Sequence, residues 1–337
     1  MTSSREAPVS ERPAGNDASG GIKRQIRRLL GAREFGLILA VLFISLTLHL
    51  FSANFLTGSN FFVLSRQISF VVIIAVGMTF VILTSGIDLS VGSVVALVSV
   101  VTGYALVTLG MPVLLGIPLA LGAGAIVGAI NGVLVVRTGV HSFVITLGML
   151  GIARGVALGA TGGSTTSGFD SGFLTLGQGA FIGIPIPVIV AAVVAVGAHV
   201  VLSRTTVGRH VYFVGSNEEA ARLSGIKVGR IKLLVFTIAS TLAALSAILE
   251  TSRLATAQPA AGQGYELIAI GAVIIGGASL MGGVGTILGT VLGAILLGLV
   301  TNGLVLLGVS TFWQQAVTGA IIILAVTLNT YRQRKST

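Results

Sequence analysis

"ISFVVIIAVGMTFVILTSGIDLSVGSVVALVSVVTGYALVTL" (Ile68–Leu109) runs for 42 residues with a single charge, Asp88. A helix needs about 20 apolar residues to cross the hydrocarbon core of a bilayer. This run is twice that length, and the polar knot "TSGIDLS" divides it near its middle. Two spanning helices follow, Ile68–Thr84 and Leu89–Leu109. The rest of the chain repeats the pattern: of 337 residues, 54% are hydrophobic and 9% charged, with a mean hydropathy of +1.02. Soluble domains carry roughly 25% charged residues, so the solvent for most of this chain is lipid. The 47 glycines and 6% aromatics suit helices packed through small residues. A barrel would alternate in segments of about ten residues, and no such alternation is present. The expected class is an all-α, polytopic membrane protein.

Working outward from that stretch, ten candidate spans emerge: Phe35–Phe55, Ile68–Thr84, Leu89–Leu109, Val113–Val136, Ser142–Ala160, Ile182–Leu202, Leu233–Leu249, Leu267–Leu280, Thr286–Leu307 and Phe312–Leu328. Residues 1–34 read as a disordered basic tail, 35–330 as the transmembrane domain, and 331–337 as a short C-terminal tail. The basic start followed by an apolar run also suits a signal peptide. The run is long and lacks a small-residue cleavage site, which favours a retained first span. With ten spans and the N-terminus inside, 17 of the 20 Lys and Arg fall on the inner side, as the positive-inside rule requires. Both termini are then cytoplasmic, and the +10 charge is a membrane-orientation signal with no nucleic-acid partner implied. "VGAINGVLVVRTGVHSF" (Val127–Phe143) echoes "LGLVTNGLVLLGVSTF" (Leu297–Phe312) at an offset of five spans. An odd offset reverses direction, so inverted repeats are expected.

One interior stretch is hydrophilic: "VGSNEEAARLSGIKVGR" (Val214–Arg230), within the loop 204–232. Ser216 to Glu219 fits a capping box with Ser216 at the N-cap. Both acids lie in the first turn, where the helix dipole favours them, Arg222 pairs back to them, and Gly225 supplies the stop. A helix of about eight residues is marginal alone. It either lies on its own protein's surface or docks a cytoplasmic partner, and Ala220, Ala221, Leu223 and Ile226 are its candidate contact residues.

Chemistry-bearing residues elsewhere are few. There is no cysteine, so no disulfide or thiolate metal site, and the four histidines show no ligand spacing. No G-x-x-x-x-G-K-[ST] motif occurs, so a phosphate-cradling loop is lacking. Asp88, with Ser85, Ser90 and Ser93, serves as a helix N-cap or as a gate that meets substrate hydroxyls. Arg154 either pairs near the outer face or lines a pathway. Asn131 and Asn302 serve interhelical hydrogen bonds or substrate contact. Gly276, Gly277, Gly282, Gly283 and Gly285 permit tight crossings or a broken helix. Glu250, Arg253 and Glu266 flank an outer loop that is either a solvated rim or a docking surface.

"NEEAARLSGI", "TSGIDLSVGSVVAL" (Thr84–Leu97), "NGVLVVRTGVHSFVITLGM" (Asn131–Met149) and "IGGASLMGGVGTILGTVLGA" (Ile275–Ala294) together resemble the membrane permease subunit of ribose-type ABC sugar importers. The likeness covers about residues 35–330, with the blocks in the same order. It implies a fold similar to the ten-helix, vitamin-B12-type importer permeases. It also implies a second permease copy or paralogue, a cytoplasmic ATPase that binds the ATP, and a periplasmic or lipid-tethered sugar-binding protein. The loop matching Ser216, Asn217, Glu218, Glu219, Ala220, Ala221, Arg222, Leu223, Ser224 and Gly225 is then the ATPase-docking helix. The expected function is the non-enzymatic, multi-pass inner-membrane subunit of an ATP-driven importer for ribose or a related carbohydrate, with no cofactor in this chain. A neutral polyol suits a path with few charges. The alternatives are a related permease for branched-chain amino acids or nucleosides, an ion-coupled secondary carrier, and a membrane-embedded enzyme for which convergent catalytic groups are lacking.

Overall fold

Each long apolar run becomes a helix in the computed structural model, which describes residues 33–334. Thirteen helices follow in order among these residues. They are α1 (Arg33–Phe51), α2 (Gly58–Leu83), α3 (Val91–Gly103, continued by a π-helical turn Tyr104–Thr108), α4 (Val113–Thr138), α5 (Ser142–Thr161), α6 (Ser171–Gln178) and α7 (Ile186–Arg204). After them come α8 (Thr206–Ser216), α9 (Glu218–Leu223), α10 (Val228–Leu254), α11 (Tyr265–Ile275), α12 (Ile287–Leu306) and α13 (Thr311–Arg334). Eight are long and apolar enough to cross a membrane, and two shorter apolar helices, Tyr265–Ile275 and Phe312–Leu324, take the places of the eighth and tenth expected spans. The all-α polytopic class is therefore observed. Most of the expected N-terminal tail lies outside the described residues, and the first helix already includes Arg33 and Glu34.

The structure corrects the eighth span. Expected as Leu267–Leu280, it stops at Ile275, because Gly276 packs backbone to backbone on α12: a Cβ there would sit 2.5 Å from the Gly289 carbonyl. Gly277, Gly282, Gly283 and Gly285 then take positive φ, which other residues adopt only at a cost. The chain runs as irregular loop until Thr286 caps α12, its Oγ1 accepting from the Gly289 N–H at 3.0 Å. The sixth span likewise begins later than expected, at Ile186, because Ala180–Phe181 (β2) and Ile184–Pro185 (β3) form a small antiparallel hairpin. A second two-residue pairing joins Thr166–Ser167 (β1) to Thr256–Ala257 (β4). Both sit at the end of the molecule opposite α9.

The core is built on α2 and α10. From Phe70 to Leu83 nearly every α2 residue is buried except Val71, as befits a helix apolar on all sides. The packing of α10 on α4 is the most extensive helix–helix contact among the described residues. Gly124, Gly128 and Gly132, one every fourth residue, present a flat stripe on α4 to Leu233, Phe236, Thr237, Ser240 and Ala244 of α10. Without Cβ atoms on one partner the two backbones approach, and dispersion contacts replace the hydrophobic drive that lipid cannot supply. Exposed Leu42, Phe43, Phe51 and Trp313 form the apolar exterior expected of a lipid-facing surface.

Candidate functional site

At one end of the helix bundle α8 and α9 form a capped knob. The expected capping box is displaced by one residue. Asn217 is the N-cap, its Oδ1 accepting from the Ala220 N–H at 2.9 Å, whereas the Ser216 Oγ donates to the Tyr212 carbonyl at 2.9 Å. The reason is that residues 206–216 are themselves helical. Ser216 is the last residue of α8 and bonds back one turn, while Asn217 carries the extended conformation between the helices. The helix is correspondingly six residues long. Gly225 ends it with φ +82°, its N–H donating to the Arg222 carbonyl while that of Ile226 reaches Ala221.

The knob is fixed from within. Ala221 is fully buried. Glu218 accepts from Arg222 at 3.3 Å and from Lys232 of α10 at 2.7 Å. Outward it presents Glu219, Arg222, Ser224 and Gly225 around Leu223, which is 84% exposed. An apolar side chain so placed at the tip of a charged element is a candidate anchor for a partner.

The knob is also tied to two breaks in the helical scaffold. Gly215 lies against the Leu83 carbonyl, where no Cβ fits. The Ser85 Oγ donates to the Met281 carbonyl at 2.7 Å and to Gly215 at 3.2 Å, and the Gly283 N–H donates to Leu83 at 3.0 Å. The Tyr212 hydroxyl donates to Gly285 at 2.8 Å, and burial pushes its phenol above the ordinary value. The α8–α9 knob is thus bonded both to the end of α2 and to the loop 276–286.

Residues 84–90 continue from that junction as non-helical chain. In lipid every backbone polar group needs an internal partner, and α5 supplies them. Ser142 Oγ accepts from the Ile87 N–H at 2.9 Å; Thr146 accepts from Leu89 and donates to the Ile87 carbonyl, each at 3.1 Å. Asp88 Oδ1 accepts from the Ser90 N–H at 2.8 Å and from its hydroxyl at 2.6 Å, and Asn131 Nδ2 donates to Ser90 Oγ at 2.9 Å. Asp88, Ser90, Ser93 and Asn131 are all buried. Asp88 Oδ2, Asn131 Oδ1 and Ser240 Oγ have no hydrogen-bond partner among the described residues.

Arg154 belongs to a second break, the segment between β4 and α11. Its guanidinium donates to the carbonyls of Pro259 at 3.0 Å, Ala261 at 2.7 Å and Gly92 at 3.3 Å, and so ties that segment to the first turn of α3. Tyr265 donates to Glu250 at 2.6 Å nearby. Asn302 lies apart from the others and exchanges hydrogen bonds with Asn60, at 2.9 and 3.2 Å. The structure thus brings Ser85, Asp88, Ser90, Ser93 and Asn131 to one break, places Arg154 across Gly92 from it, and leaves Asn302 in a helix–helix contact. Sequence reasoning did not single out Ser142, Thr146, Tyr212 or Lys232. The spacing of Ser142 and Thr146, one turn apart in an apolar span, was the available signal.

Residues 60–326 match the family model described as branched-chain amino acid transport system / permease component. The chain is 44% identical over 300 residues to the ribose import permease protein RbsC of Escherichia coli (strain K12), covering 88% of this chain and 93% of that one. It is 42% identical over 299 residues to its Bacillus subtilis (strain 168) namesake, with 88% and 92% covered. It is 39% identical over 275 residues to the D-allose transport system permease protein AlsC of Escherichia coli (strain K12), with 82% and 84% covered. No solved structure matches the chain.

Proposed function

Because the chain belongs to the branched-chain amino acid transport system / permease component family, we propose that it is the membrane-spanning subunit of an ATP-driven sugar importer, moved by an ATPase carried on another chain. The resemblance to permeases named for ribose, D-allose, xylose and L-arabinose favours a monosaccharide over an amino acid. So does the interior: the polar groups at the break after α2 are hydroxyls, one amide and one carboxylate, without the pair of opposite charges that a zwitterion would select. A sugar-binding protein on the far side and a second permease copy complete this assembly.

The observation that carries the coupling role is α9 itself. It is a short helix held rigid at its base by Ala221 and the Glu218–Lys232 pair, exposing Leu223 at its tip, and it is bonded through α8 to two helix breaks. A rigid knob wired to irregular backbone is suited to converting closure of an ATPase into rearrangement of the spans. The α9 end faces the cytoplasm in this reading, with both termini there, because most Lys and Arg lie on that side.

The test is co-purification with the cognate ATPase and uptake into proteoliposomes. Glu219→Arg with Leu223→Asp, both exposed, should leave the chain folded but abolish capture of the ATPase and ATP-dependent uptake. Sugar uptake by the chain alone on an ion gradient would sink the proposal in favour of a secondary carrier.

A further inference from the structure

The α9 end of the bundle contains a cavity of about 880 Å³ between the end of α4, the start of α5 and the start of α10. Its lining combines cationic and apolar residues. At the mouth stand Arg137, Lys227 and Arg230, all exposed. Glu218 is the only acid lining it, and that carboxylate is already held by Arg222 and Lys232. Among the described residues, the three mouth cations have no carboxylate within ion-pair distance. Val133, Val136, Leu233 and Phe236 make an apolar wall beside these cations, and the hydroxyls of Thr84, Ser85 and Ser142 and the imidazole of His141 complete the lining. Gly132 lies five residues before Arg137 on α4, so the apolar wall extends about 8 Å into the membrane from the cationic mouth.

We infer that this cavity is a binding site for an acidic phospholipid drawn from the leaflet on the α9 side. The phosphate and any further headgroup anion meet Arg137, Lys227 and Arg230, and the start of an acyl chain lies on the valine, leucine and phenylalanine wall. Basic pockets between membrane helices recognise acidic headgroups in this way. A soluble phosphate ester shares the charge but would leave the apolar wall in contact with water, so the amphiphilic lining selects the lipid. The reading stands on the cavity alone and does not depend on the ATPase-docking role of α9.

The experiment uses the full chain in nanodiscs of phosphatidylcholine doped with phosphatidylglycerol, extracted gently and weighed by native mass spectrometry. The wild type should retain one phosphatidylglycerol per chain. The triple variant Arg137→Gln, Lys227→Gln, Arg230→Gln should lose retention by about a hundredfold at low ionic strength. The charge-conserving triple Arg137→Lys, Lys227→Arg, Arg230→Lys should retain it. Glycerol phosphate at millimolar concentration should not displace the lipid. Equal retention by wild type and the glutamine variant, or equal retention of phosphatidylcholine, overturns the proposal. Loss in the charge-conserving variant, or displacement by glycerol phosphate, overturns it as well, the latter in favour of a soluble anion.

Discussion

Asp88 is a carboxylate with no exposed surface at a point where the backbone has left the helix. Its Oδ1 satisfies both the N–H and the hydroxyl of Ser90, which in turn accepts from Asn131, so one oxygen organises the entry to α3 and its link to α4. Removing a buried acceptor strands its donors, at a cost of roughly 1–3 kcal/mol. Asp88→Ala should therefore lower the melting temperature of the purified chain clearly. Asp88→Asn keeps an oxygen for the N–H and hydroxyl of Ser90, so its loss should be less than half as large. Equal loss in the two variants, read by thermal aggregation in detergent, would mean that the negative charge itself is needed. At this scale the sequence is legible in type and less so in partner. A lone acid in 42 apolar residues announces a polar junction. That Ser142 and Thr146 would clothe the same junction does not show, because single hydroxyls inside an apolar span are common and bond back to their own helix. The N-cap of α9 shows the opposite error. Ser216 and Asn217 are both good caps, and the choice fell to Asn217 only because α8 extends to absorb Ser216.

Helices as units were read from hydropathy alone, and their pairing was not. Runs of about 20 apolar residues locate spans, yet hydropathy is blind to unwound backbone, which is why Gly276–Leu280 entered as the end of a span although these residues belong to the loop before α12. The α4–α10 contact rests on three glycines whose spacing makes a definite prediction. A Cβ on Gly128 would lie 2.8 Å from both Thr237 Cα and Ser240 Cβ and press on the Phe236 carbonyl. The neighbours are mostly backbone and cannot turn aside. Gly128→Ala should destabilise by about 1–3 kcal/mol through overpacking. Gly122→Ala, on the same helix with nothing within 4 Å of the added carbon, should be neutral or stabilise by up to about 1 kcal/mol. Unfolding of the two variants in mixed micelles checks the contrast. Similar behaviour of both would show that the α4–α10 crossing is looser than its geometry.

The molecule as a whole has two unlike ends. One gathers Arg137, Arg204, Arg209, Arg222, Lys227, Arg230 and Lys232 around α8 and α9; the other carries the β2–β3 hairpin and the β1–β4 pairing. Arg66, Arg154 and Arg253 are the exceptions to the charge bias, and each has internal work: Arg154 pairs three carbonyls, Arg66 stacks on Phe62 with 4.6 Å to the ring centroid, and Arg253 lies over Phe70 at 5.7 Å. Basic residues resist translocation, so the α9 end should remain in the cytoplasm. The helix α7 makes this testable, because it runs directly from the hairpin to the start of α8. The chain has no cysteine, so a single introduced thiol reports its own side without background. Ile182, 84% exposed in the hairpin, and Thr206, exposed at the first turn of α8, flank α7 and touch neither the α9 tip nor the α4–α10 cavity. In intact cells with a permeable outer layer, a membrane-impermeant maleimide should label Ile182→Cys and spare Thr206→Cys. In inside-out vesicles the pattern should reverse. Labelling of Thr206→Cys from outside would put the knob on the wrong side of the membrane for any cytoplasmic engine, while labelling of both from one side would mean that α7 does not cross.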